Sequence, residues 1–232
     1  MNWVLNNLPL IADRTLAHLG LSIWPILLTF VFSVPLGWLA NRLGPARGVF
    51  IGLLGILYAI PSLAFFLILP LFIGGSLRED RNVIIVLTVY GIAIMARTTA
   101  DAFRAVDPDI VQSATAVGFD GWRRFWGVEF PLSGPVLLAG MRVVSVSTVS
   151  LVTVSGALGT KNLGLLFLDG FGRNIPAEII AGIVGVIVIA LVFDGILVLL
   201  GRLLMPWRSA VADPGGRVSA RARRALESEV AA

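Results

Sequence analysis

The chain has 232 residues, 57% of them hydrophobic and only 14% charged, with a net charge of +4 and a mean hydropathy of +0.91. Soluble domains carry about 45–50% apolar and about 25% charged residues, so a chain this apolar needs lipid for part of its surface. Cysteine is absent, and His18 and Lys161 are the sole histidine and lysine, which excludes disulfides, thiolate or histidine-cluster metal sites and cysteine nucleophiles.

From the N-terminus, residues 1–10 carry no basic n-region and predict no cleaved signal peptide. Residues 1–14 read as an extracytoplasmic segment, with a short sixth membrane element open over 2–12. Five stretches then approach the roughly 20 apolar residues that a bilayer core requires. They are 19–40; 48–77, where Pro61 is expected to kink the span; 82–96, running on to about 100; 143–160; and 179–201, interrupted by Asp194. The fold class is therefore an all-α integral membrane protein of about five transmembrane helices. Placing the N-terminus outside leaves thirteen arginines in the inside segments and five basic residues outside, so the expected topology is N-terminus out and C-terminus in. Arg142 is counted there among the inside residues that precede the fourth span. That distribution is one of membrane topology and predicts no nucleic-acid partner. The polar and basic stretch 206–232 is expected to be a cytoplasmic tail, either unstructured or with a short helix over 219–230.

Between the third and fourth spans lies a loop, 97–134, too long for a simple connection. Asp107 is a suitable N-cap, Pro108 suits the first helical position, and Asp109 complements the positive end of the helix dipole. Ile110, Val111, Ala114 and Val117 recur at helical spacing, and Gly118 stands where a C-terminal glycine belongs. The spacing predicts a helix of about ten residues, roughly 15 Å long. Taken alone, it could also be an amphipathic helix lying on the bilayer, with Trp122, Phe125 and Trp126 beside Arg123 and Arg124.

Gln112-Ser113-Ala114, three residues, Gly118, nine residues and Val128-Glu129-Phe130-Pro131 resembles the "EAA" loop of bacterial ABC-importer permeases, with agreement in spacing at every element. Gln112 replaces the family's glutamate, Ser113 its first alanine, Val128 its isoleucine and Phe130 its leucine. The resemblance implies a type I ABC-importer permease core over 15–205, in which this loop docks on a cytoplasmic ATPase, with Phe119 or Trp122 available as an aromatic anchor. Ala59-Ile60-Pro61-Ser62-Leu63-Ala64 and Glu129-Phe130-Pro131-Leu132, with Ala139-Gly140-Met141-Arg142, are similar to stretches of the osmoprotectant permeases, which carry glycine betaine, choline, carnitine or proline betaine. The partners thereby implied are two ABC ATPase subunits, a second permease chain (identical or paralogous), an extracytoplasmic binding protein and the bilayer of a bacterial inner membrane. Lys161 follows Thr160, so the chain lacks the Gly-Lys-Ser/Thr of a phosphate loop; it is not expected to be an enzyme, and ATP and Mg belong to the partner ATPase.

Pro61, Ser62, Lys161, Asn162 and Asp194 are the candidate pathway or gate residues. Asp194 is expected chiefly to pair with Arg202 or a backbone donor, and His18 to make a local cap or headgroup contact at the outer interface. Three other functions stay open at this level. One is an ABC permease for another small solute, such as an amino acid. An intramembrane serine enzyme has only His18 as an imidazole and no Gly-x-Ser-x-Gly elbow. A secondary transporter would leave the long loop without a role and shows no paired broken-helix repeats.

Overall fold

In the computed structural model, residues 2–207 are described, and they form ten α-helices without strands. All but the first two residues of the expected tail, including the helix over 219–230, lie outside the described residues. The helices are α1 (Asn2–Asn6), α2 (Leu8–Arg42), α3 (Arg47–Ala59), α4 (Ser62–Ile73), α5 (Asp80–Arg104), α6 (Pro108–Ala116), α7 (Gly121–Arg124), α8 (Phe130–Ser155), α9 (Gly164–Gly172) and α10 (Pro176–Leu204). Helices α2, α5, α8 with the turns that flank it, and α10 are each long and apolar enough to cross a membrane; α3 and α4 make a fifth span if the bent pair counts as one.

Helix α5 is the central post. Of its most apolar stretch 61% is buried, against 6% for α10, which lies at the periphery. Close approach of α2 to α5 depends on small residues. A Cβ added at Gly37 would lie 2.8 Å from the Ala100 backbone nitrogen, and one at Gly91 would strike the Thr29 side chain. Such contacts let packing, rather than a hydrophobic force, hold helices together in lipid. Asn41 Nδ2 donates to the Ala100 carbonyl at 2.8 Å. Arg47 then bonds both Asn41 (2.9 Å) and Asp101 (2.5 Å), which ties α2, α3 and α5 together at one end of the bundle. Among the apolar clusters of the interior the two largest are built on Ile26, Met95, Phe103, Phe125 and Met141, and on Leu21, Phe66, Val86, Tyr90 and Val152.

The structure differs from the sequence reading in five places. First, the opening span begins at Leu8, so α2 takes in much of the segment assigned to 1–14. Second, Pro61 breaks its span: α3 and α4 meet at 101°. Proline disfavours helical backbone in the residue before it, and Ile60 is extended (φ −67°, ψ 128°). The freed Ile60 carbonyl accepts a hydrogen bond from the Tyr90 hydroxyl, the kind of side-chain rescue that a broken helix needs inside a membrane. Third, the connection after α8, read from the sequence as a plain loop, contains a nine-residue helix, α9. Fourth, Arg142 is a mid-helix residue of α8, because apolar helix already runs from Phe130. Fifth, His18 makes no headgroup contact; it is fully buried, with Nε2 3.1 Å from the Val149 carbonyl, and so joins α2 to α8.

Candidate functional site

The segment linking α5 to α8 is built from local capping chemistry. Asp107 caps α6, accepting the Asp109 N–H at 2.9 Å, and Pro108 holds the first helical position. At the other end Gly118 adopts φ +90°. Its N–H reaches the Thr115 carbonyl, and the Phe119 N–H reaches that of Ala114, both at 3.0 Å. This pairing is a Schellman motif, which requires the left-handed conformation that glycine takes at least cost. Asp120 then caps α7, accepting from the N–H groups of Trp122 (3.0 Å) and Arg123 (2.8 Å).

The two short helices are cross-braced. Arg124 donates to Thr115 Oγ1 at 2.9 Å and to Glu129 at 2.8 Å, so one guanidinium joins α6, α7 and the turn beyond. Residues Phe125–Glu129 form a π-helical turn that leads directly into α8. Phe119 lies against this turn, where a Cβ on Gly127 would stand 3.3 Å from its ring. The segment is thus a rigid unit, continuous with a membrane-crossing helix.

Phe125 is the buried centre of the unit. Its ring packs on Trp38 of α2 (5.4 Å between centroids), Phe103 of α5 (5.5 Å), Trp126 (5.1 Å) and Phe130 of α8 (5.9 Å). The sequence reading passed over Phe125 and Phe103 as site residues; an aromatic after two arginines gives no indication of which helices it will meet. Within the motif, Ala114 is buried, Gln112 and Ser113 are exposed, and Val128, Phe130 and Pro131 are half-buried. Ile110 and Val117 are exposed, so the chain itself covers Ala114 and part of Val111 on that stripe. Trp122 stands edge-on to Trp126 at 5.7 Å and is largely exposed.

No hydrogen bond or ion pair joins the remaining candidates to one another among the described residues. Pro61 and Ser62 stand at the α3–α4 break. Lys161 is exposed on the α8–α9 turn, whereas its neighbour Asn162 is fully buried. Asn162 Nδ2 donates to the Val152 carbonyl (3.0 Å), Ser155 (2.9 Å) and Thr160 (3.0 Å), and its Oδ1 accepts from the Gly164 N–H at 2.7 Å. The amide thereby locks the turn between α8 and α9. Asp194 pairs with Arg142 and not with Arg202: two parallel bonds of 2.6 and 2.7 Å form a bidentate fork between α10 and α8.

A bundle of four or five spans, carrying between two of them a braced helical unit joined to the core by aromatic packing, has the architecture of a transport-system membrane subunit. The chain belongs to the family described as the binding-protein-dependent transport system inner membrane component, whose model matches residues 33–206. It is 29% identical over 193 residues to the glycine betaine/carnitine/choline transport system permease protein OpuCB of Bacillus subtilis, covering 83% of this chain and 88% of that one. Identity to the osmoprotectant import permease protein OsmW of Salmonella typhimurium is 30% over 209 residues, or 89% and 97% of the two chains. Among solved structures, a chain of the inward-facing MetNI methionine ABC transporter superposes with a TM-score of 0.70 at 17% identity, covering 82% of this chain and 95% of that one. The fold is that of a type I ABC-importer permease, and the protein is a multi-pass inner-membrane component that works with an ATPase and a substrate-binding protein. It is a permease subunit and not the catalytic one.

Proposed function

We propose that this chain forms the translocation pathway of an ATP-driven importer for small quaternary-ammonium osmoprotectants: glycine betaine, carnitine, choline or proline betaine. The observation that carries this reading is the identity of about 30%, over 83–89% of the chain, to permeases named for glycine betaine, carnitine, choline or osmoprotectants. In this reading the N-terminus is outside and 107–131 lies in the cytoplasm, where it docks on one of two ATPase subunits that bind ATP and Mg. A second permease chain completes the pathway, and an extracytoplasmic binding protein delivers the solute. The exposed Gln112, Ser113 and Val117 face the ATPase; Ala114, Gly118, Phe119, Trp122, Val128, Phe130 and Pro131 hold the docking unit in shape. The α3–α4 break at Pro61 and Ser62, the turn with Lys161 and Asn162, and Asp194 are assigned to the pathway and its gate.

The test is uptake of labelled glycine betaine and of labelled amino acids by cells lacking the gene, with and without the restored chain. Betaine uptake should return with the chain; return of amino-acid uptake alone overturns the substrate. In parallel, a P-loop ATPase should copurify with the wild-type chain and not with Gly118→Val. Failure of any ATPase to copurify with wild type overturns the docking role.

A further inference from the structure

Between the second half of α2 and the α7–α8 corner lies an entirely apolar groove of about 400 Å³, in which Phe30, Val34 and Trp38 face Trp122, Phe125 and Trp126. That volume is within the range of about 300–1,000 Å³ typical of ligand pockets. It opens outward beside largely exposed Val31 and Trp122. Its position along the bundle is set by α2, whose 35 residues make it about 52 Å long at 1.5 Å rise, more than the roughly 30 Å of a hydrocarbon core. The last turns of α2 therefore reach the membrane–water boundary, where tryptophans such as Trp122 and Trp126 concentrate.

The rim is cationic. The Arg42 guanidinium lies 3.6 Å from the centre of the Trp38 ring, and it comes within reach of Gly121 at the start of α7. No carboxylate pairs with Arg42 among the described residues. Arg123, two residues beyond Gly121, is highly exposed and makes only a long ion pair, at 4.0 Å, with the likewise solvated Asp120. An apolar trough with two under-neutralised arginines at its boundary end matches a molecule with a hydrocarbon tail and an anionic head.

We infer that this groove is a binding site for an anionic phospholipid, its acyl chain lying between α2 and the aromatic corner and its phosphate meeting Arg42 and Arg123. The site is independent of which solute is transported.

Purified full-length chain titrated with phosphatidylglycerol or phosphatidylcholine, each with brominated acyl tails, tests this through tryptophan quenching. Phosphatidylglycerol should quench at a lower mole fraction than phosphatidylcholine, and the excess should fall in a Trp122→Phe, Trp126→Phe variant. A basic residue near a membrane surface contributes enough that Arg42→Gln should cut the preference about five-fold, while Arg42→Lys keeps it. Equal quenching by the two lipids, a preference untouched by Arg42→Gln, or an excess that survives loss of both tryptophans overturns the site. So does absence of quenching at these tryptophans, as a second copy or another protein segment covering the groove would produce.

Discussion

Arg142 and Asp194 form an ion pair at mid-helix in two spans, where a lone charge is expensive. The bidentate fork lets each ion satisfy the other's hydrogen-bonding needs as well as its charge. Asp194→Asn should therefore lower the thermal midpoint of the purified chain, because Arg142 keeps its charge and loses its partner. Replacing both residues with leucine should recover most of the loss, since removing a whole pair is often neutral where breaking it is not. Fluorescence-detected thermal unfolding of Asp194→Asn and of the double leucine variant decides this; a double no better than the single overturns the argument. Asp194 was legible in the sequence as an acid within an apolar run, but its partner was not. Arg202 is eight residues away on the same helix, about 12 Å along its axis at 1.5 Å per residue, whereas Arg142 comes from a different helix and 52 positions away. Tyr90 is a second case of a remote partner. Tyr90→Phe leaves the Ile60 carbonyl unpaired at the α3–α4 break and should cost about 1–3 kcal/mol, again read as a lowered thermal midpoint.

The unit from α6 to the π-helical turn is held together by the Arg124 brace and anchored to the bundle by Phe125. If docking and transmission are separate, Phe125→Ala should leave ATPase copurification intact while lowering solute transported per ATP hydrolysed. The cavity left by a buried Phe→Ala change costs about 3–5 kcal/mol, so Phe125→Leu, which refills much of it, should restore transport in part. Loss of copurification in Phe125→Ala would instead mean that docking itself depends on the shape this buried ring gives the unit. Helix α6 was legible almost to the residue, since Asp107, Pro108 and Gly118 are local signals that act within one turn. Helix α9 was not: its nine residues, Gly164–Gly172, are too short to cross a bilayer, and its place is set by Gly164 and Gly170 packing against α8 and α10. The angle at Pro61 was equally hidden, because proline fixes its own φ and biases its neighbour, but the direction in which α4 leaves depends on Tyr90, Asn82 and the face of α5.

At the scale of the whole molecule, α8 decides the topology, because it separates the 107–131 unit at one end from the Asn162 lock at the other. If α8 crosses the membrane, Gln112 and Lys161 must lie on opposite sides; the arginine distribution predicts Gln112 inside. The absence of cysteine from the sequence makes this directly measurable, since a single introduced thiol has no background. Both positions are exposed, and neither side chain has a described partner whose loss would disturb the fold. In right-side-out membrane vesicles, an impermeant maleimide should label Lys161→Cys at once and Gln112→Cys only after the membrane is opened. The opposite pattern inverts the orientation and with it the docking assignment, because an ATPase supplied with cytoplasmic ATP could not reach the unit. Labelling of both from the same side would be a deeper failure: α8 would not cross, and the Arg142–Asp194 pair would no longer need to be explained as an intramembrane one.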